Sequence, residues 1–183
     1  LRSNMNIIDT QYTLTRKAFE IYVSGCAGNP HCEGCHTPWT WDFQIGNPYK
    51  ETFPKIEKLL RAYTPLIDNI MIFGGEPLDQ NIEELEDMLQ WLRHIAPSKS
   101  IWVFTRYELL KALDIFPRLF HYIDYLKTGA YIPSLSTDMN NQYGIHLATS
   151  NQKIFSRDNA QKEVQKLGRN PLYYFKTSSI TAS

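Results

Sequence analysis

Four short apolar runs, at residues 19–23 (FEIYV), 69–73 (NIMIF), 100–104 (SIWVF) and 122–127 (YIDYLK), alternate with three stretches of helical periodicity. Runs of this length, rich in β-branched and aromatic residues, read as buried strands. Between the first two, Phe53, Ile56, Leu59, Leu60 and Tyr63 recur at helical spacing behind a start signal at Thr52 and Pro54. Between the second and third, Ile82, Leu85, Met88, Leu89, Leu92 and Ile95 mark one helix face, opened by a capping box of Asn81 and Glu84 and stopped by Pro97. Thr105 and Glu108 predict a second capping box, for a helix reaching about Phe116. Alternation of this kind implies parallel strands joined by right-handed crossovers. The predicted fold is therefore α/β, a mostly parallel sheet with helices on its outer face. Ligands of such folds sit beyond the carboxyl ends of the strands, where this chain places Cys26, Gly74, Gly75, Thr105 and the loop after Lys127.

The stretch 129–150 is polar and turn-rich, with one short strand expected at 145–147. A further strand at 151–155, a helix over 158–167 and a frayed end at 177–183 complete the expectation. At 183 residues the chain reads as one domain, with its core over about 19–155, a fold that starts near Gln11 and a peripheral C-terminal tail. Its 19 Lys and Arg balance 19 Asp and Glu, so no net field draws it to nucleic acid or to an anionic membrane. No apolar run approaches the roughly 20 residues that span a bilayer, and the first residues lack the apolar segment of a signal peptide. The expectation is a cytoplasmic protein with neither nucleic acid nor membrane as partner.

All three cysteines lie within the ten residues from Cys26 to Cys35, and an odd, clustered set cannot make a self-contained disulfide framework. Cys26-x5-Cys32-x2-Cys35 offers three soft thiolates from one loop, the ligands that iron–sulfur clusters need. A four-iron cluster held by three side chains leaves one iron open to a substrate. A Cys3His zinc site completed by His31 or His36 is an alternative, as is a set of unrelated buried thiols. Structural zinc ligands usually come as two separated pairs, whereas here all would come from one loop. Gly28, Pro30 and Gly34 suit a loop that wraps a bulky group.

The run VSGCAGNPHCEGCHTPWTWDF at 23–43, together with FGGEPLDQ at 73–80, resembles the radical S-adenosylmethionine superfamily, whose usual triad is C-x3-C-x2-C and whose second strand ends in a GGEP-type motif. Within it, GCH at 34–36, IWVFTRYEL at 101–109 and SNQKI at 150–154 are similar to activating proteins of the anaerobic ribonucleotide reductase, a likeness that spans roughly 19–155. The resemblance implies a partial (β/α) barrel. It implies a 4Fe–4S cluster on Cys26, Cys32 and Cys35, with S-adenosylmethionine chelating the fourth iron. Gly74, Gly75, Glu76 and Pro77 would form the strand edge that receives the methionyl amino group. His36 would lie beside the cluster or the adenine. Thr105 and Lys127 would reach ribose or carboxylate, a helix cap and a surface charge being their other roles; Asn151 and Gln152 are similarly ambiguous. Trp39 and Trp41 would cover the cluster or fill the edge of the core. The implied activity is reductive cleavage to a 5′-deoxyadenosyl radical, which takes hydrogen from a glycine of the large anaerobic reductase subunit, with a flavodoxin or ferredoxin-type protein as electron donor.

Five residues separate Cys26 from Cys32 where the usual pattern has three. A longer loop costs little entropy and can bulge outward while its ends stay in place. The CHTPWTW run at 35–41 also resembles 7-carboxy-7-deazaguanine synthase, a radical enzyme acting on a small pterin, in which an aspartate usually stands at the position of His36. A non-enzymatic zinc or iron–sulfur module is the reading from another class.

Overall fold

A computed structural model of the chain describes residues 4–175, so the stretch at 177–183 lies outside the described residues. The central sheet is built from β1 (Asn6–Thr13), β2 (Ala18–Val23), β3 (Asn47–Pro48), β4 (Asn69–Gly74), β5 (Ser100–Phe104) and β6 (Tyr125–Thr128). A small hairpin, β7 (Asn141–Gln142) and β8 (Ile145–His146), then precedes the last sheet strand, β9 (Lys153–Ser156). The sheet order is β3-β1-β2-β4-β5-β6-β9. Its centre, β2 to β6, is parallel, with Ile21 opposite Ile72, Ile72 opposite Val103, and Val103 opposite Leu126. The flanking strands β1, β3 and β9 run antiparallel to their neighbours. Three helices, α1 (Tyr49–Tyr63), α2 (Ile82–Ile95) and α3 (Leu109–Ile115), make the crossovers, and α4 (Arg157–Lys166) follows β9. This is the mixed α/β arrangement with a mostly parallel sheet that the alternation predicts.

The pleat sorts side chains between two faces. Phe19, Ile21, Val23, Ile70, Ile72, Ile101 and Val103 pack against the apolar stripes of the helices, among them Ile56, Leu60, Leu85, Met88 and Leu113, in one large core. The opposite face carries Ala18, Met71, Trp102 and Ile154, with Phe73, Phe104 and Tyr125 packed beside them and Leu147 from the segment after β8. Among the described residues no helix is long and apolar enough to cross a membrane.

Four local expectations change in the folded chain. First, the fold begins well before Gln11: β1 starts at Asn6, and Met5 and Ile7 are core residues. At the other end Ala160, Val164, Tyr174 and Phe175 join the same core, so it extends past 155 into the stretch expected to be peripheral. Second, α1 starts at Tyr49 rather than Thr52. Tyr49 is fixed by tertiary bonds, its amide to the Met5 carbonyl (3.0 Å) and its hydroxyl to Asp87 (3.0 Å). Third, only half of the first capping box forms. Asn81 Oδ1 accepts from the amides of Glu83 and Glu84, while the Glu84 carboxylate accepts the Met5 amide instead of turning back to residue 81. Fourth, the box at Thr105 and Glu108 is absent: Glu108 makes no side-chain cap bond, and the Thr105 hydroxyl donates to Glu76 (2.7 Å). Asn81→Ala removes the remaining cap and is expected to destabilise the protein by about 1 kcal/mol in urea titrations.

Candidate functional site

A cavity of about 500 Å³ opens at the carboxyl ends of the parallel strands. Cys26, Cys32, Cys35, His36, Gly74, Gly75, Glu76, Thr105 and Lys127 all line it. Pro77, singled out in the sequence with them, is not on the wall; it is buried. Arg16, Tyr22, Trp41, Phe73, Phe104, Arg106, Tyr131 and Gln152 complete much of the surface.

The cysteine loop leaves β2 at Ser24 and is stitched to its own return segment. The Gly25 amide donates to the Thr40 carbonyl (2.6 Å), the Cys26 amide to Trp41 (3.1 Å) and the Cys35 amide to Cys32 (3.1 Å). The Thr37 hydroxyl donates to the Gly74 carbonyl (3.0 Å), joining the loop to the end of β4. All three thiols are free and half-buried. Burial pushes the Cys26 thiol up in pKa, against the opposing pull of the Gly28 amide and the Arg106 charge.

Both histidines near the cysteines have other engagements. The His31 ring nitrogen lies 2.9 Å from the Cys26 carbonyl oxygen, and the ring stacks on Trp41 with centroids 4.1 Å apart. His36 packs beside Tyr131 at 5.0 Å. Among the described residues no three His, Cys, Asp or Glu side chains are gathered closely enough to share one ion. A single ion draws its ligands around one point, whereas a four-iron cluster spreads its thiolates around a larger body. Three soft thiolates on one loop, facing one cavity, fit the cluster as a donor set.

The end of β4 lies almost against the exit of β2. A Cβ on Gly74 would stand 2.1 Å from the Val23 carbonyl oxygen, and one on Gly75 would stand 2.1 Å from that of Gly25. That closeness lets the Gly75 amide reach Val23 (3.0 Å) and the Glu76 amide reach Gly25 (2.8 Å). The Gln80 amide group spans the same corner, donating to the carbonyls of Gly25 (3.1 Å) and Glu76 (3.0 Å).

Two buried carboxylates tie this corner to β5. Glu76 accepts from the Leu78 amide (3.0 Å), the Thr105 hydroxyl (2.7 Å) and the Arg106 amide (2.7 Å). Burial pushes its carboxyl up to about 7, while those three donors favour the charged form. Asp79 accepts from the Ala27 amide (2.7 Å), Arg106 Nη2 (3.1 Å) and the Tyr107 hydroxyl (2.6 Å). Arg106 Nε is buried without a hydrogen-bond partner, 3.9 Å from Glu76 Oε2. Lys127 donates to the Gly129 carbonyl (2.7 Å), and burial pushes its ammonium down to about 8. Of the ambiguous pair, Asn151 pins the Ala130 carbonyl (2.9 Å), whereas Gln152 lines the cavity. Trp41 is on the wall as well, while Trp39 is half-exposed and packs on Tyr22.

Sequence reasoning missed Arg16, Asp79, Arg106 and Tyr131. Asp79 sits inside the FGGEPLDQ run and Arg106 directly follows Thr105, so proximity to motifs was their only signal. Arg16 owes its place to Glu20, an acid within an otherwise apolar strand run, which it pairs with while Thr13 and Tyr22 donate to the same carboxylate.

The family model described as a 4Fe-4S single cluster domain matches residues 15–155. The chain belongs to this 4Fe-4S single cluster domain family. Similar proteins include one of Enterobacteria phage T4, 28% identical over 141 residues that cover 74% of this chain and 81% of the relative. One from Vibrio cholerae is 31% identical, covering 61% of this chain and 72% of its own length, and one from Escherichia coli K12 is 29% identical, covering 63% and 75%. All three carry the name anaerobic ribonucleoside-triphosphate reductase-activating protein. No solved structure matches the chain. The 4Fe-4S assignment and the position of the three cysteines on the cavity wall agree with each other.

Proposed function

We propose that this chain is a radical S-adenosylmethionine enzyme that generates a glycyl radical on an anaerobic ribonucleotide reductase. The observation that carries the reading is the convergence of Cys26, Cys32 and Cys35 with the Gly74–Gly75 edge on one cavity at the strand ends. The names of the relatives and the family description support it. When bound, the cluster supplies one electron to the sulfonium of S-adenosylmethionine, breaking a C–S bond to give the 5′-deoxyadenosyl radical that takes hydrogen from the partner's glycine.

The protein's own contribution is to hold, orient and exclude water. Cys26, Cys32 and Cys35 would hold the cluster. With the amides of Gly75 and Glu76 spent on Val23 and Gly25, and the carbonyls of Gly74 and Glu76 accepting from Thr37 and Gln80, the Gly75 carbonyl is the group this edge would offer, and an ammonium group is its complement. Lys127 and Arg106 bring positive charge to the wall for the methionyl carboxylate. Tyr22, Trp41, Phe73 and Phe104 supply an apolar surface that keeps water from a reactive radical. A partial barrel, open on one side, would admit a loop of the large reductase subunit; the electron donor would be a flavodoxin or ferredoxin-type protein of the cytoplasm.

The test is anaerobic reconstitution with iron and sulfide, then incubation with dithionite and S-adenosylmethionine. Brown protein that forms 5′-deoxyadenosine, and a glycyl radical signal once the large reductase subunit is added, are the expected results. A colourless zinc protein, or iron–sulfur protein that leaves S-adenosylmethionine intact, overturns the reading. Turnover on a pterin with no glycyl radical assigns the chain to the deazaguanine-type chemistry instead.

A further inference from the structure

Asp79 closes the short 3-10 turn Pro77–Asp79 and is only 1% exposed. Burying a carboxylate costs free energy unless donors surround it. Here the donors come from two other loops: the Ala27 amide, one residue past Cys26, and the guanidinium and phenol of Arg106 and Tyr107, just past β5. Arg106 also gives its amide to Glu76, so the β4 turn, the cysteine loop and the β5 loop meet at one carboxylate and its arginine. The bond to Ala27 falls at the start of the lengthened Cys26–Cys32 loop, where the chain most needs an anchor if the first thiolate is to keep its place.

We propose that Asp79 is a positioning residue: through the Ala27 amide it sets where the Cys26 thiolate stands relative to the Glu76–Arg106 wall, and its charge balances Arg106 beside that thiolate. This rests on the cluster reading above. Two effects follow from different properties of the side chain. Removing the charge leaves Arg106 with less compensation, from Glu76 at 3.9 Å, and so favours the reduced form, raising the potential. Moving the carboxylate displaces Cys26 and slows cleavage whether or not the charge is kept.

Asp79→Asn and Asp79→Glu separate the two. In the metal-free protein both are expected to exchange the Ala27 amide with solvent faster than wild type. After reconstitution both are expected to retain iron, to form 5′-deoxyadenosine roughly ten- to a hundredfold more slowly, and to show an altered electron paramagnetic resonance signal on adding S-adenosylmethionine. Only Asp79→Asn should raise the midpoint potential, while Asp79→Glu stays at the wild-type value. Variants that match wild type in cleavage, signal and potential overturn the inference, and so does loss of the circular dichroism of the fold in both, which would make Asp79 a residue of the fold alone. A wild type that takes up no iron overturns the cluster reading and this inference with it, whereas an active wild type with equally active variants overturns this inference only.

Discussion

Cys32→Ala is expected to lower 5′-deoxyadenosine formation by more than about a hundredfold, since residues merely supporting metal ligands already cost 10–100-fold when changed. Cys32 lies beyond the lengthened loop, is free and half-buried, and shares the cavity wall with Cys26 and Cys35. Two thiolates from one loop are a poor grip on a four-iron body, so iron and sulfide content and the visible absorption should fall together with activity. His31→Ala is the contrasting case. It removes the stacking on Trp41 and the contact with the Cys26 carbonyl but no thiolate. Iron should therefore be retained, with cleavage slowed by about tenfold through a looser loop. Metal lost with His31 or His36 as well as with Cys32 would fit a Cys3His zinc site. Equal cleavage by wild type and Cys32→Ala would refute the assignment of ligands.

The parallel strands were legible because β2, β4 and β5 are buried on both faces along their middles and so written as largely apolar runs, and the residues at their ends inherited that clarity. Gly74, Gly75, Glu76, Thr105 and Lys127 each stand at the end of such a run, and all reach the cavity wall. The antiparallel strand β1 was hidden for the opposite reason: NIIDTQYT has mostly half-exposed positions and polar residues among its apolar ones, so it carries no buried-strand signature. The capping signals failed where a tertiary demand outbid a local one. Glu84 satisfies the Met5 amide across the fold, and Thr105 satisfies a carboxylate 29 residues away in sequence. Asp79 and Arg106 were missed because their pairing depends on how the turn after β4 meets the loop after β5, a relation that local sequence does not encode.

Gly74→Ala is expected to destabilise the protein by about 3–5 kcal/mol, combining backbone strain with overpacking against main chain. Gly74 has φ +131°, a conformation that a side chain disfavours, and its added Cβ would lie 2.1 Å from the Val23 carbonyl oxygen and 2.5 Å from the Val23 nitrogen. Neither atom can swing aside as a side chain would, because Val23 is the last rung of β2 and is paired with Gly74 itself. Relief requires the two central strands to separate at the point from which Ser24, Gly25 and Cys26 depart. Loss of stability should therefore come with poor iron uptake by the fraction that still folds. Gly144→Ala isolates the conformational part, since Gly144 has φ +75° but nothing within 4 Å of the added carbon. Its cost should be about 1–2 kcal/mol, with iron uptake unchanged. Urea titrations of both variants beside wild type would show whether the glycine edge is a steric necessity of the β2–β4 contact; equal losses at the two positions would mean that it is not.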